Sequence, residues 1–315
     1  MTFAILRRLG LGLVTMWVVS LLVFASTEIL PGDVAESVLG KDAPDKVVAA
    51  MRERLGLDRP PLVRYWDWLS GLMVGDLGVS LGSGREITGL IDDRIWNTVR
   101  LAAITAVIAV PLSVFLGLLA AMKAGTILDR SISIGTLCVI SVPEFFMAAL
   151  LVFVFAVQLR WLPALPILRP GQSFLSSLWS LALPVLTLTF AVMAHMTRMT
   201  RNAVINVLSS AYIEMALLKG VPNYRIILLH AFPNALSPII NVIALNLAYL
   251  IAGVVIVETA FSYPGLARLM VDAVSTRDIP LVQACGMIFC ATYVLLNLLA
   301  DILSILSNPR LRTSQ

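Results

Sequence analysis

Few side chains in this 315-residue chain are arranged for covalent chemistry. It has no glycine-rich loop ending in Gly-Lys-Ser/Thr, so it has no cradle for nucleotide phosphates. Neither a His-Glu-x-x-His pair nor a Cys-x-x-Cys pair occurs, and no serine reads as a nucleophile elbow. The two histidines, His195 and His230, are expected near the same membrane face. Cys138, Cys285 and Cys290 are scattered through apolar runs, which suits buried packing rather than a disulfide framework or zinc site. The sequence therefore predicts no catalytic residue, no metal ligand and no cofactor. Any work against a gradient must draw on ions or on a partner.

The residues best placed for work are mechanical ones, in the stretch Tyr212–Pro233. Ser210 is a suitable N-cap, Glu214 lies in the first turn and Lys219 in the last, matching the helix dipole. Gly220 can take the left-handed position past the end, and Pro222 prevents continuation. The pattern predicts a helix over 211–220, roughly 15 Å long, lying outside the membrane. Asn223 is expected to cap a further helix running to Pro233, with Pro238 opening the next span. Two readings fit from the residues alone: a docking handle for a soluble partner, or a helix that only anchors a loop.

The elements that must position this rod are membrane spans. The chain is 59% hydrophobic and 13% charged, far too apolar for an ordinary soluble domain. Crossing roughly 30 Å of hydrocarbon takes about 20 apolar residues. Six stretches qualify: about 9–30, 99–122, 132–157, 178–199, 236–257 and 281–306. The fold class is all-α, a polytopic membrane protein with six transmembrane helices. The first stretch runs on to Glu28 and Pro31 without a small-residue cleavage site, so it reads as an uncleaved span.

Between spans, the segment 31–97 has structure of its own. Asp42 is expected to cap a helix from Ala43-Pro44, with Val48, Met51 and Leu55 on one face and Gly56 at its end. Tyr65, Trp66, Trp68, Leu69 and Leu72 mark a second amphipathic helix, lying at the membrane interface or packed beneath a loop. The stretch 258–280 reads as an amphipathic re-entrant or interfacial helix. The organisation expected is an N-terminal span (1–30), an extracytoplasmic segment (31–97), a five-helix core (98–307) and a cytoplasmic tail (308–315).

Charge sets the orientation. The net charge of +4 reflects orientation: Arg7, Arg8, Lys123, Arg130, Arg198, Arg201, Lys219, Arg225, Arg310 and Arg312 lie on one side, with Asp129 and Glu214 as the acids there, if both termini are cytoplasmic. Nothing in that distribution points to nucleic acid. Glu28, Glu144 and Glu258 are read at span edges, and Asn297 and Asp301 on one helix face. Thr187, Thr189, Asn241 and Asn246 are the candidate pathway-lining groups, although polar residues in spans also join helices. With so few charges inside spans, an ion-gradient-driven secondary transporter is the weaker reading. A non-transporting scaffold would leave the outer segments unexplained.

The spacing Glu214-Met215-Ala216, three residues, Gly220, nine residues, His230-Ala231-Phe232-Pro233 resembles the EAA loop of ABC importer permeases. Leu30-Pro31-Gly32-Asp33, Leu55-Gly56-Leu57-Asp58 with Pro60 and Tyr65, and Gly75-Asp76-Leu77-Gly78-Val79-Ser80 resemble the peptide, nickel and glutathione branch, first membrane subunit. Glu258, Phe261, Pro264-Gly265-Leu266, Arg277-Asp278, Asn297 and Asp301 continue the match in order. The usual closing Asp-Pro-Arg reads Asn308-Pro309-Arg310 here. The resemblance implies a type I, MetI-like permease fold in a bacterial inner membrane. It implies as partners a second homologous permease, two ATPase subunits and an extracytoplasmic solute-binding protein. It further implies that Tyr212, Glu214, Ala216, Lys219, Gly220 and Pro233 couple the spans to the ATPases. A peptide-like solute fits better than bare nickel, since the histidines and cysteines form no outward metal cage.

Overall fold

The computed structural model describes residues 2–29, 44–54, 56–167 and 171–307. The Leu30-Pro31-Gly32-Asp33 motif, Leu55, the Asp42 cap and the closing Asn308-Pro309-Arg310 lie outside the described residues. Apart from one isolated bridge between Val79 and Glu86, the regular structure described is helical. In chain order the helices are α1 (Thr2–Ile29), α2 (Asp45–Arg54), α3 (Pro61–Met73), α4 (Ile87–Met122), α5 (Ile127–Ile140) and α6 (Glu144–Leu151). There follow α7 (Phe174–Ser180), α8 (Ala182–Leu208), α9 (Ala211–Leu218), α10 (Phe232–Ala260), α11 (Leu266–Ser275) and α12 (Ile279–Ser307). Within hydrocarbon a helix is forced, because only it satisfies every backbone group inside one segment.

Five helices, α1, α4, α8, α10 and α12, are long and apolar enough to span, and α5 with α6 supplies the sixth span. That sixth span corrects the expectation of a continuous helix over 132–157. The two limbs meet at 102°, because Pro143 has no amide to donate and restricts Val142 before it. Glu144 therefore opens α6 at a break inside the span, not at a span edge. Pro238 is also corrected. It lies inside α10, which starts at Phe232 with Pro233 in its first turn. The second span is the later part of α4, whose 36 residues begin at Ile87.

The chain divides into two compact units. One comprises Met1–Leu6, Val99–Tyr263 and Leu295–Gln315. Its core gathers Leu101, Ala148, Leu183, Leu188, Met196 and Val254. Gly117 lets α4 and α8 touch backbone to backbone: a Cβ there would meet Thr200 Cβ at 2.7 Å and Thr197 O at 2.8 Å. Asp129, in the first turn of α5, accepts a two-pronged contact from Arg201 on α8, at 2.6 Å from Nε and 2.8 Å from the terminal nitrogen. Gly125 N–H donates to the same carboxylate at 2.8 Å. Cys138 is exposed on α5, correcting the expectation that all three cysteines are buried; Cys285 is buried.

The other unit comprises Arg7–Thr98 and Pro264–Val294. Here α2 begins after Pro44, whose carbonyl accepts from Val47 and Val48, and Gly56 ends it at φ +63°. In the aromatic helix α3, Tyr65 is buried against Phe24 of α1 with its hydroxyl 2.9 Å from Ser20 Oγ, while Trp66 is exposed. Arg64 pairs with Glu28. The amphipathic stretch after the fifth span folds as α11, whose Leu266 and Ala273 share a core with Ile87, Ile91 and Leu281.

Asp278 fixes the turn-rich segment before α4. Its carboxylate accepts from Ser80 Oγ at 2.5 Å, Leu81 N at 3.1 Å and Gly82 N at 3.2 Å. Against the expectation that no serine reads as a nucleophile elbow, Gly78-Val79-Ser80-Leu81-Gly82 does have the glycine spacing of one, but the Ser80 hydroxyl donates to this carboxylate rather than to an imidazole.

Two outcomes are expected. Asp278→Ala strands a buried hydroxyl and two amides, each at about 1–3 kcal/mol, so limited proteolysis should cut near residue 80 far faster than in Asp278→Asn. Equal resistance in both variants would contradict that anchoring role. Arg201→Ala leaves the buried Asp129 carboxylate without its cation, a loss of about 3–5 kcal/mol, whereas Asp129→Asn with Arg201→Gln should cost less than either single change. Thermal unfolding of the purified chain measures both, and additive effects would argue against a coupled pair.

Candidate functional site

The rod expected over 211–220 is α9, Ala211–Leu218, with Lys219 and Gly220 forming its cap. Its length is about 12 Å at 1.5 Å per residue. Gly220 has φ +77°, a conformation strained for any residue with a Cβ. Its amide donates to Leu217 O at 3.0 Å and that of Val221 to Ala216 O at 3.2 Å. That double closure is a Schellman cap, and it satisfies carbonyls the helix end would otherwise leave open. At the other end Ser210 has the extended N-cap backbone, yet its hydroxyl donates back to Val207 O at 2.5 Å. The expected side-chain cap is thus replaced: bonding to the preceding turn competes for the same oxygen.

The rod is rooted on one side only. Ile213 is buried with Ile226 and Ala231, and Val207, Leu208, Ala216 and Val221 pack around them. Burying Ile213 contributes about 2 kcal/mol. Glu214 and Lys219 point to solvent, as do Tyr212, Met215, Leu217 and Leu218, the last 76% exposed. Tyr224 and Leu229 add to this apolar surface from the following segment. Sequence reasoning weighted the charges here and missed the exposed Met215, Leu217 and Leu218. A helix that is apolar on both faces, yet too short to span, was the available signal.

The chain after Gly220 does not form the single capped helix expected from Asn223. Residues Asn223–Arg225 make one turn, started by the Pro222 carbonyl, which accepts from Arg225 and Ile226. A wider π turn over Ile226–Ala231 follows and leads directly into α10. Pro233 sits in the first turn of α10, where its missing amide costs nothing. α9 is thereby joined to α8 at one end and, through this turn, to α10 at the other.

Of the four polar residues expected to line a pathway, Thr187 borders a cavity of about 180 Å³. Thr187 donates its hydroxyl proton to Leu183 O, and the Asn246 amide donates to Val242 O. Thr189 is buried, and Asn241 is exposed on α10. The same cavity is bordered by Glu144, Phe190, His195 and Tyr249, which sequence reasoning did not assign to it. His195 lies midway along α8, not near its end, and its ring stands 6.4 Å from that of Tyr249. The Val142-Pro143 break next to an acid was the signal for Glu144.

Comparison with known proteins bears on what such a rod is for. Residues 113–313 match the family described as binding-protein-dependent transport system inner membrane component, and residues 1–102 match its N-terminal counterpart. A probable peptide ABC transporter permease protein, y4tP, of Sinorhizobium fredii is 36% identical over 308 residues, 98% of each chain. The glutathione transport system permease protein GsiC of Escherichia coli is 36% identical over 312 residues, 99% of each chain. With its six spans and its capped rod between the fourth and fifth, the chain belongs to the family of membrane permeases of binding-protein-dependent ABC importers.

Proposed function

We propose that this permease lines one half of a path for a peptide or related small solute, and that α9 is the lever by which an ATPase subunit moves it. The observation that carries this reading is the rod itself, rooted through Ile213, apolar on its outer face and continuous with two spanning helices. The substrate class follows the names of the two relatives, a peptide permease and a glutathione permease.

In this reading the chain itself catalyses nothing, and ATP is hydrolysed in two partner ATPase subunits. A second homologous permease completes the path, and an extracytoplasmic binding protein delivers solute to the segments 31–97 and 258–280. Both termini and α9 face the cytoplasm, supported by the basic residues Arg7, Arg8, Lys123, Arg130, Lys219 and Arg225 in those segments. Tyr212, Glu214, Ala216, Lys219, Gly220 and Pro233 make up the coupling segment. ATP binding draws the ATPases together, moves α9 and so favours one of two packings of the helices.

Gly220→Pro tests the lever, because proline fixes φ near −65° where the cap needs +77°. In the assembled transporter this variant and Glu214→Ala should each lower ATP-driven uptake about tenfold, the size of a typical coupling free energy. Membrane insertion and capture of solute by the binding protein should be retained. Normal uptake by Gly220→Pro would defeat the lever.

A further inference from the structure

Glu144 opens α6 at the edge of the cavity bordered by Thr187 and Tyr249. Its Oε2 is buried and accepts no hydrogen bond. Pro143, just before it, has no amide to offer, and no lysine or arginine borders the cavity beside it. A charged side chain within a span costs roughly 2.5–3.5 kcal/mol or more. The N-terminus of α6 favours a carboxylate, but by no more than about 2 kcal/mol, and supplies no bonded donor to Oε2. The structure therefore keeps an acceptor in place without a donor of its own.

The surroundings leave room for one. Across from the carboxylate stands Gly253 of α10, where a Cβ would sit 3.2 Å from Oε2 and 3.3 Å from Leu188 Cδ2. Thr187 has already committed its proton to Leu183 O. Phe190 and Tyr249 give the cavity aromatic walls. His195 and Tyr249 also border the cavity and are exposed midway along their helices. At about 180 Å³ the cavity is smaller than the roughly 300–1,000 Å³ that encloses a whole small ligand. It suits one end of a solute.

We propose that this cavity is a subsite of the translocation path for the ammonium end of a solute, with the Glu144 carboxylate as acceptor and the Tyr249 and Phe190 rings as walls. The ammonium supplies the N–H donors and the positive charge that Oε2 lacks, and aromatic faces attract a cation. The inference rests on the importer reading and adds to it a chemical requirement, a free amine on the solute. Glu144 is then a specificity-determining residue, and Gly253 keeps the acceptor clear.

The test is ATP-driven uptake of L-alanyl-L-alanine and of its N-acetyl form by the complete transporter in proteoliposomes. Wild type should favour the free amine about tenfold or more, the worth of a charge-assisted hydrogen bond. Glu144→Gln, close to isosteric, should abolish that preference by slowing the free dipeptide alone, and Gly253→Ala should weaken it with the charge retained. An unchanged preference in Glu144→Gln, or an equal fall for both solutes, overturns the subsite. If wild type takes up neither solute, the peptide-import reading fails instead. A second measurement then decides the subsite: labelling of Glu144 by dicyclohexylcarbodiimide in membranes, read by mass spectrometry. Alaninamide should suppress labelling and N-acetylalaninamide should not; equal effects of the two overturn the proposal.

Discussion

Wherever the main chain leaves the α-helix, its open amides and carbonyls need a hydrogen-bonding solution of their own, most of all inside a bilayer, where no water serves. In this permease three such places are built by identifiable residues. The end of α9 is closed by the Gly220 and Val221 amides on Leu217 and Ala216. The turn before α4 is held by the Asp278 carboxylate on two amides and a hydroxyl. At the α5–α6 break, Ser141 and Val142 donate back to Leu137 and Val139, while Pro143 has no donor to satisfy. The proposed lever and the proposed subsite both adjoin such places, because a chain that leaves the helix can present groups a continuous span would bury.

A lever of the kind proposed must be stiff and must be attached. α9 is stiff because its terminal carbonyls are closed and its inner face is seated on Ile226, Ala231, Val207 and Leu208. It is attached because two residues separate it from α8, and only the cap and turns over 219–231 separate it from α10. α8 and α10 pack extensively against each other, so a displacement of α9 acts on both. Close contacts at Gly117 and Gly253 leave little space for gradual deformation, which favours switching between discrete packings.

Composition and apolar run length made the six spans legible, since hydrocarbon thickness permits few other readings of such runs. Gly220 with Pro222 made the end of α9 legible, because a left-handed stop is a local property of the residue. Features decided by competition between neighbouring groups or by distant residues were hidden. Whether Ser210 caps forward or bonds back to Val207 depends on the end of α8 as well as its own turn. Pro238 looked like a helix start, yet Pro233 upstream already provides one, and neighbouring helices tolerate the second. Glu144 was read at an edge because an acid within a span is costly; the bend that accommodates it involves α10 and Gly253, far away in sequence. Family membership resolves the choice between importer permease and gradient-driven carrier, which residue counting alone left open.

The most direct measurement is site-directed cross-linking from the outer face of α9. A single cysteine at Leu218, 76% exposed, in a background lacking Cys138, Cys285 and Cys290, would be treated with a short thiol cross-linker in membranes containing the whole transporter. Coupling through α9 predicts a product with an ATPase subunit, formed from the cytoplasmic side and changed in yield by ATP. A product with the binding protein, or none with any subunit while the transporter remains active, would contradict it.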